Sequence, residues 1–320
     1  MEVERMKVLV TPTSFLKNPQ AKAMVEAVAD EIVYNPQTRP LEAEEILSLL
    51  DGVDGYIAGL DYITADVIRR APANLKVISR YGAGVDRVDL EAAKEKGIRV
   101  TNTPGTNAVA VCELAFGLML SLARSIPRLD NAVKKGEWPR NDGIELAGKT
   151  LGIVGFGAIG KNLAIRARAF GMRVIAYDPY FDVAFADLHG VEQKPLDETI
   201  EGADFLSLHV PLTKETKYMI DEQAIARMKK GAFIINTARG GLVDEAAAAK
   251  ALKSGKLGGI GLDAYEAEPV SDSPLLGLDH VVMTPHTGAH TNEAIAGMGI
   301  MAAQNLIDIL QGKDCKYTIV

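Results

Sequence analysis

Arg239, Glu268 and His286 have side chains suited to work on a carbon that bears an oxygen beside a carboxylate. Each follows an apolar run that reads as a short strand, at 232–237, 259–263 and 281–283. In an open α/β sheet, ligands sit beyond the carboxyl ends of the strands, so the three side chains are expected around one ligand. Arg239 offers a planar fork of donors to a carboxylate and to the polarised oxygen next to it. His286 can take or return the proton of a C2 hydroxyl, a task for which imidazole is the usual side chain. Glu268 can hold the other ring nitrogen, fix the tautomer and raise its basicity. Singly, an arginine after a strand is an ordinary surface residue and a histidine an ordinary structural one. Three such residues at successive strand ends suit oxidation of a 2-hydroxy acid, or the reverse reduction.

That chemistry needs a hydride carrier, and Gly155-Phe-Gly-Ala-Ile-Gly160 supplies a place for one. A buried strand is predicted just before it (150–155) and a helix just after it (159–170). A second strand (173–178) ends on the acid Asp178. Strand, glycine loop, helix and acid are the full context of a dinucleotide fingerprint. Gly155 allows the tight turn, Gly157 lets backbone approach a pyrophosphate, and Gly160 lets the helix pack close to the sheet. Amides near Ala158 and Ile159 point at the pyrophosphate from a helix N-terminus. Asp178 can accept from the adenosine ribose hydroxyls and would repel a 2′-phosphate, which favours NAD over NADP.

The elements that carry these residues form two α/β series. Strands are predicted at 8–10, 31–34, 55–58, 76–80 and 99–102, with helices between them, and again from 150 to 283. Long apolar helices are predicted at 107–125 and 293–310. A length of 320 residues favours two domains, and 30 glycines suit the turns of an α/β fold. The net charge of −7 argues against nucleic acid and anionic membranes, which call for a basic patch. No apolar run reaches the ~20 residues of a membrane span. The chain passes from Met1 into a strand rather than a signal peptide. Cys112 and Cys315 are expected as two reduced thiols of a cytoplasmic protein, and no cysteine–histidine cluster suggests a metal.

Six motifs in order give the chain a likeness to a family: Arg80-Tyr-Gly-Ala-Gly-Val-Asp86, the glycine loop, His209-Val-Pro-Leu-Thr213, Asn236-Thr-Ala-Arg-Gly-Gly241, Asp263-Ala-Tyr-Glu-Ala-Glu-Pro269 and Thr284-Pro-His-Thr-Gly288. The sequence resembles the D-isomer-specific 2-hydroxyacid dehydrogenases, the group that includes D-3-phosphoglycerate dehydrogenase, over nearly its whole length. The resemblance implies Arg239, Glu268 and His286 as the catalytic set. It implies cofactor contacts at Ala158, Ile159, Asp178, Pro211, Thr237, Ala238, Asp263 and Gly288. It implies that amides of Tyr81, Gly82, Ala83 and Gly84 hold the substrate carboxylate. A Rossmann-type doubly wound NAD domain (102–290) is expected as an insertion in a smaller flavodoxin-like α/β substrate domain (1–101 and 291–320). The active site is expected in the cleft, in a homodimer built on the cofactor domains.

Arg80 and Arg140 are expected to read a distal phosphate, which favours a phosphoglycerate dehydrogenase. A third arginine expected after 55–58 is replaced by Ala58-Gly-Leu-Asp-Tyr62. Hydroxypyruvate or glyoxylate reduction is the close alternative, and an NAD(H)-sensing corepressor the alternative of another class. Without the longer relatives' regulatory domain, serine feedback is not expected. His209 is read as shaping the cofactor loop rather than as a second base. Glu113 is read as a buried acid paired with an arginine or with backbone.

Overall fold

Aliphatic runs of three to six residues, separated by turns and short helices, build two parallel sheets in a computed structural model that describes residues 6–320. Residues 1–5, the start of the expected substrate domain, lie outside the described residues. The chain divides into two units, Met1–Asn107 with His290–Val320, and Ala108–Ala289.

The first unit holds strands β1 (Lys7–Val10), β2 (Glu31–Tyr34), β3 (Gly55–Ala58), β4 (Val77–Arg80) and β5 (Arg99–Thr101), in the order β2-β1-β3-β4-β5. Helices α1 (Pro19–Glu26), α2 (Ala43–Leu49), α3 (Ala65–Arg70) and α4 (Leu90–Lys96) connect them. Local signals set their ends. Asp89 accepts from the Ala92 amide to start α4, and Gly97, at φ +75°, ends it. The last helix, α12 (Asn292–Leu310), returns to this unit. By length and composition it is apolar enough to cross a membrane, but its inner face packs on the sheet. Leu306 lies over Gly55, and Ser79 Oγ donates to the Ala302 carbonyl at 2.9 Å.

The second unit opens on α5 (Ala108–Ala123) and α6 (Ile126–Lys134). Its strands are β6 (Thr150–Val154), β7 (Arg173–Tyr177), β8 (Val191–Gln193), β9 (Phe205–Leu208), β10 (Ala232–Asn236), β11 (Leu257–Leu262) and β12 (Val281–Met283). They pair in parallel in the order β12-β11-β10-β9-β6-β7-β8. Helices α7 (Ala158–Ala169), α8 (Val183–His189), α9 (Leu196–Gly202), α10 (Glu222–Arg227) and α11 (Glu245–Lys253) alternate with them. Both faces of the sheet are covered, which is why its strands read as continuous apolar runs. Phe116, Met119, Leu151 and Leu163 fill one side, and Leu206, Ile225, Ile234 and Ala248 the other. The strand order reverses between β6 and β9, the switch point at which doubly wound sheets bind their ligands. Two elements, α8 and β8, were not expected from the sequence. On α6 no residue is buried, and Trp138 beyond it is 77 % exposed.

Candidate active site

Register brings the site together. Val154 pairs with Tyr177 and Leu208, Asn236 with Leu208 and Leu262, and Leu262 with Met283. The residues one step beyond these pairs therefore make a single row: Asp178, Gly155, His209, Thr237, Asp263 and Thr284. Backbone bonds continue the pairing into the row, from Gly155 N to Tyr177 O at 2.8 Å and from His209 N to Val154 O at 2.7 Å. With neighbouring strands about 4.8 Å apart, the row is roughly 24 Å long, room for an extended dinucleotide.

At one end is the glycine loop. Gly155 takes φ +98°, and a Cβ there would strike the His209 carbonyl. A Cβ on Gly160 would strike the Gly155 carbonyl, so the start of α7 packs on the turn itself. Gly157 is the N-cap of α7, caps no amide with a side chain, and faces open space where a Cβ would be. Ala158 and Ile159 form the first helical turn, so their amides suit a pyrophosphate. Asp178 accepts from the Phe156 amide on one oxygen and the Tyr180 amide on the other, both at 2.7 Å. Each oxygen keeps a second lone pair for a ribose hydroxyl. The acid thus also ties the glycine loop to β7, a role the sequence did not show.

The middle of the row holds two buried polar atoms with no partner among the described residues, His209 Nδ1 and Thr237 Oγ1. Native interiors rarely leave such atoms unpaired, so they fit a site made for a polar ligand. Burial pushes the His209 ring down to about 3, which keeps it neutral and unsuited to act as a base. Pro211 lies exposed beyond β9, its carbonyl accepting from Thr216 Oγ1 at 2.7 Å.

At the other end are Arg239, Glu268 and His286. The buried Asn236 accepts from the Ala238 amide at 3.1 Å and donates to the Arg239 carbonyl at 2.7 Å. It shapes the turn that presents Arg239, and no reading of the sequence had assigned it that task. Arg239 Nη1 donates to the Ala238 carbonyl at 2.7 Å. His286 Nδ1 lies 2.9 Å from both oxygens of Glu268. The two side chains are 24 % and 16 % exposed, which leaves the pair open to a substrate but poorly solvated. The Tyr265 amide also donates to Glu268, at 3.2 Å.

His286 sits at φ +53°, an uncommon backbone state outside glycine. Asp263, 2 % exposed, holds the surrounding loop in place. It accepts from Thr284 Oγ1 at 2.6 Å and from the Thr287 and Gly288 amides at 2.8 Å. The Tyr265 hydroxyl, pushed up to about 12 by burial and by Asp263, lies 2.6 Å from the Thr284 carbonyl.

The first unit departs from several expectations. Arg80 is 3 % exposed; its Nη1 donates to the Ala58 carbonyl at 2.7 Å and its Nε to the Gly84 carbonyl at 3.2 Å. It braces the glycine turn instead of presenting its fork outward. The amides of that turn also divide. Tyr81 N donates to Ala58 O at 3.0 Å and Gly82 N to Thr103 Oγ1 at 2.9 Å, so both are engaged within the unit. Ala83 and Gly84 are the two whose amides have no partner among the described residues. Arg140 lies exposed in the second unit, past α6. Glu113 is exposed as well, not buried, and pairs with Arg166 at 2.8 Å. Cys112 and Cys315 are free.

Known proteins match this arrangement. The family pattern described as D-isomer specific 2-hydroxyacid dehydrogenase, NAD binding domain, covers residues 116–288. The chain is 47% identical over 277 residues to a D-3-phosphoglycerate dehydrogenase of Methanocaldococcus jannaschii, covering 85% of this chain and 53% of that protein. It therefore spans about half the length of the phosphoglycerate dehydrogenases it matches. It is 44% identical to a hydroxypyruvate reductase of Thermotoga maritima, covering 91% of this chain and 96% of that one. The structure resembles a D-lactate dehydrogenase from Aquifex aeolicus solved with NAD and lactic acid, at TM-score 0.82 and 30% identity over 95% of this chain and 96% of that one. With its glycine loop, its acid at the end of β7 and its histidine–glutamate pair, the chain belongs to the D-isomer-specific 2-hydroxyacid dehydrogenase family.

Proposed function

We propose that the protein moves a hydride between NAD(H) and C2 of a small D-2-hydroxy acid or 2-keto acid. The observation that carries this reading is the His286 ring, held at Nδ1 by both oxygens of Glu268 on the row that begins at Asp178. With Nδ1–H donated to Glu268, Nε2 carries the lone pair that accepts the C2 hydroxyl proton during oxidation. In reduction, Nε2 of the imidazolium returns that proton to the carbonyl oxygen. Arg239 receives the substrate carboxylate and polarises the C2 oxygen. The nicotinamide supplies the acceptor or donor for the hydride. Glu268 stabilises the imidazolium and keeps the ring in its productive tautomer.

For the substrate, the inward Arg80 and the segment Ala58-Gly-Leu-Asp-Tyr62 favour a small unphosphorylated acid such as glyoxylate or hydroxypyruvate. The likeness to phosphoglycerate dehydrogenases favours a second reading, 3-phosphoglycerate. NADH consumption with glyoxylate, hydroxypyruvate and 3-phosphohydroxypyruvate separates them, with the highest kcat/KM expected for an unphosphorylated acid. NADH binding without turnover of any 2-keto acid would leave a binding protein of the corepressor kind.

The assembly proposed is a homodimer through the NAD unit. Helix α6 buries nothing, and Ile126, Val133, Trp138 and Ile144 are exposed on this segment. Such apolar surface calls for cover. Light scattering on the Trp138→Glu variant should show a shift from dimer to monomer. Free Cys112 and Cys315 suit a reducing cytoplasm.

A further inference from the structure

We propose that Glu245 is a positioning residue, whose carboxylate staples both ends of the loop that carries Glu268 and so sets that acid against His286. The inference rests on the reading above that Glu268 acts through His286. Glu245 lies outside the six sequence motifs, at the first position of α11. It is nevertheless buried, at 6 % exposure. One carboxylate oxygen accepts from the Glu266 amide at 2.9 Å and the other from Ser273 Oγ. The Glu266 carboxylate answers by accepting from the Glu245 amide and from the Tyr218 hydroxyl, both at 3.1 Å.

Helix α11 does not call for this arrangement. Asp244 already caps it, accepting from the Ala247 amide at 2.9 Å. Burying a carboxylate against an amide and a hydroxyl rather than a cation is costly, and the neighbouring Glu266 adds like charge. What the carboxylate secures lies outside the helix. Glu266 and Ser273 bound the loop 266–273, and Glu268 stands inside it.

The surroundings of that loop are fixed by other groups. The Tyr265 hydroxyl lies 2.6 Å from the Thr284 carbonyl, and the Tyr265 carbonyl packs on Gly240, where a Cβ would strike it. Asn236 holds the turn at Arg239, and Asp263 the loop at His286. The segment after Tyr265 is the one that Glu245 grips. Glu268 must bring both oxygens to His286 Nδ1, and a displacement of about 1 Å in such a constellation can cost on the order of a hundredfold in rate.

The test uses the whole protein and NADH-dependent reduction of hydroxypyruvate, with rates taken per NADH site titrated by fluorescence so that unfolded chains do not count. Glu245→Ala should lower kcat by about tenfold to a hundredfold, with NADH affinity and substrate KM near the parent values. Glu245→Gln keeps an oxygen for the Glu266 amide and offers its NH2 to Ser273 Oγ, so it should recover most of the rate. A double-mutant cycle with Glu268→Ala then separates positioning from general support. If Glu245 acts through Glu268, Glu245→Ala should cost less than about threefold in that background. An equal loss in both backgrounds, or a Glu245→Gln variant as poor as Glu245→Ala, would make Glu245 a support for the fold and overturn the inference. Full activity in Glu245→Ala beside a large loss in Glu268→Ala would overturn it as well and leave the reading of Glu268 intact. If Glu268→Ala is itself as active as the parent, that reading fails and the inference falls with it. Ser273→Ala loosens the staple from its far end and serves if Glu245→Ala folds poorly. It should lower kcat by about threefold to tenfold, and an unchanged kcat would refute the staple.

Discussion

Replacing Glu268 by glutamine keeps the shape of the His286 pair and removes its charge. A unit charge about 4 Å from the ring is worth about 4 kcal/mol to the imidazolium at an effective dielectric near 20. Both Glu268 oxygens are 2.9 Å from Nδ1 and the pair is poorly solvated, so little of this is lost to water. Glutamine restores one neutral hydrogen bond, about 1 kcal/mol. The imidazolium then loses about 3 kcal/mol of stabilisation. Hydroxy-acid oxidation forms that imidazolium as the C2 proton leaves, and keto-acid reduction passes through the same transition state, so kcat/KM should fall in both directions in Glu268→Gln, by roughly a hundredfold. The assay is kcat/KM for both directions on parent and variant. If both stay within a few fold of the parent, Glu268 only orients the ring and the charge argument is wrong.

Three further outcomes are expected. His286→Asn should lower kcat by roughly 10² to 10⁴ while NADH affinity, read by fluorescence, stays near the parent value; retention of most activity would mean another residue is the base. NAD should be preferred to NADP by on the order of a hundredfold in kcat/KM, because Asp178 would face the 2′-phosphate across a few kcal/mol of repulsion; equal values would remove Asp178 from the ribose site. Arg80→Ala should lower kcat/KM for glyoxylate and 3-phosphohydroxypyruvate by similar factors, since the side chain braces the turn at Ala58 and Gly84; a loss confined to the phosphorylated acid would show that Arg80 reads the substrate tail.

The sequence made most of this legible where function rests on backbone. A buried parallel strand reads as an apolar run, so β6, β9 and β10 and the loops after them could be placed from pattern. The glycines of the cofactor loop announced their own conformations. Side-chain direction was harder. Glu113 lies in an apolar stretch, yet helical spacing puts Val109, Glu113 and Gly117 on one outward stripe of α5. Arg80 has a suitable type and place for an anion, but the carbonyls that turn it inward come from a neighbouring strand and from a turn. Asn236 and Asp263 look like ordinary polar residues until the loops they tie are seen. The strand β8 has a single buried residue and an acid at its centre, too little for a period-two signal. The interruption of the first unit by the second came from resemblance, since nothing in the local pattern marks which later helix returns to which sheet.

The left-handed backbone at His286 also limits what can succeed it in evolution. Asparagine, aspartate and glycine accept such a state readily, whereas valine, isoleucine and threonine clash with their own backbone there. A descendant that abandoned catalysis but kept its cofactor would therefore leave by a narrow door. Position 286 would then be read as Asn, Asp or Gly, on a loop still gripped by the carboxylate of Asp263. A β-branched residue at that position in a diverged copy would mean that the loop itself had been rebuilt.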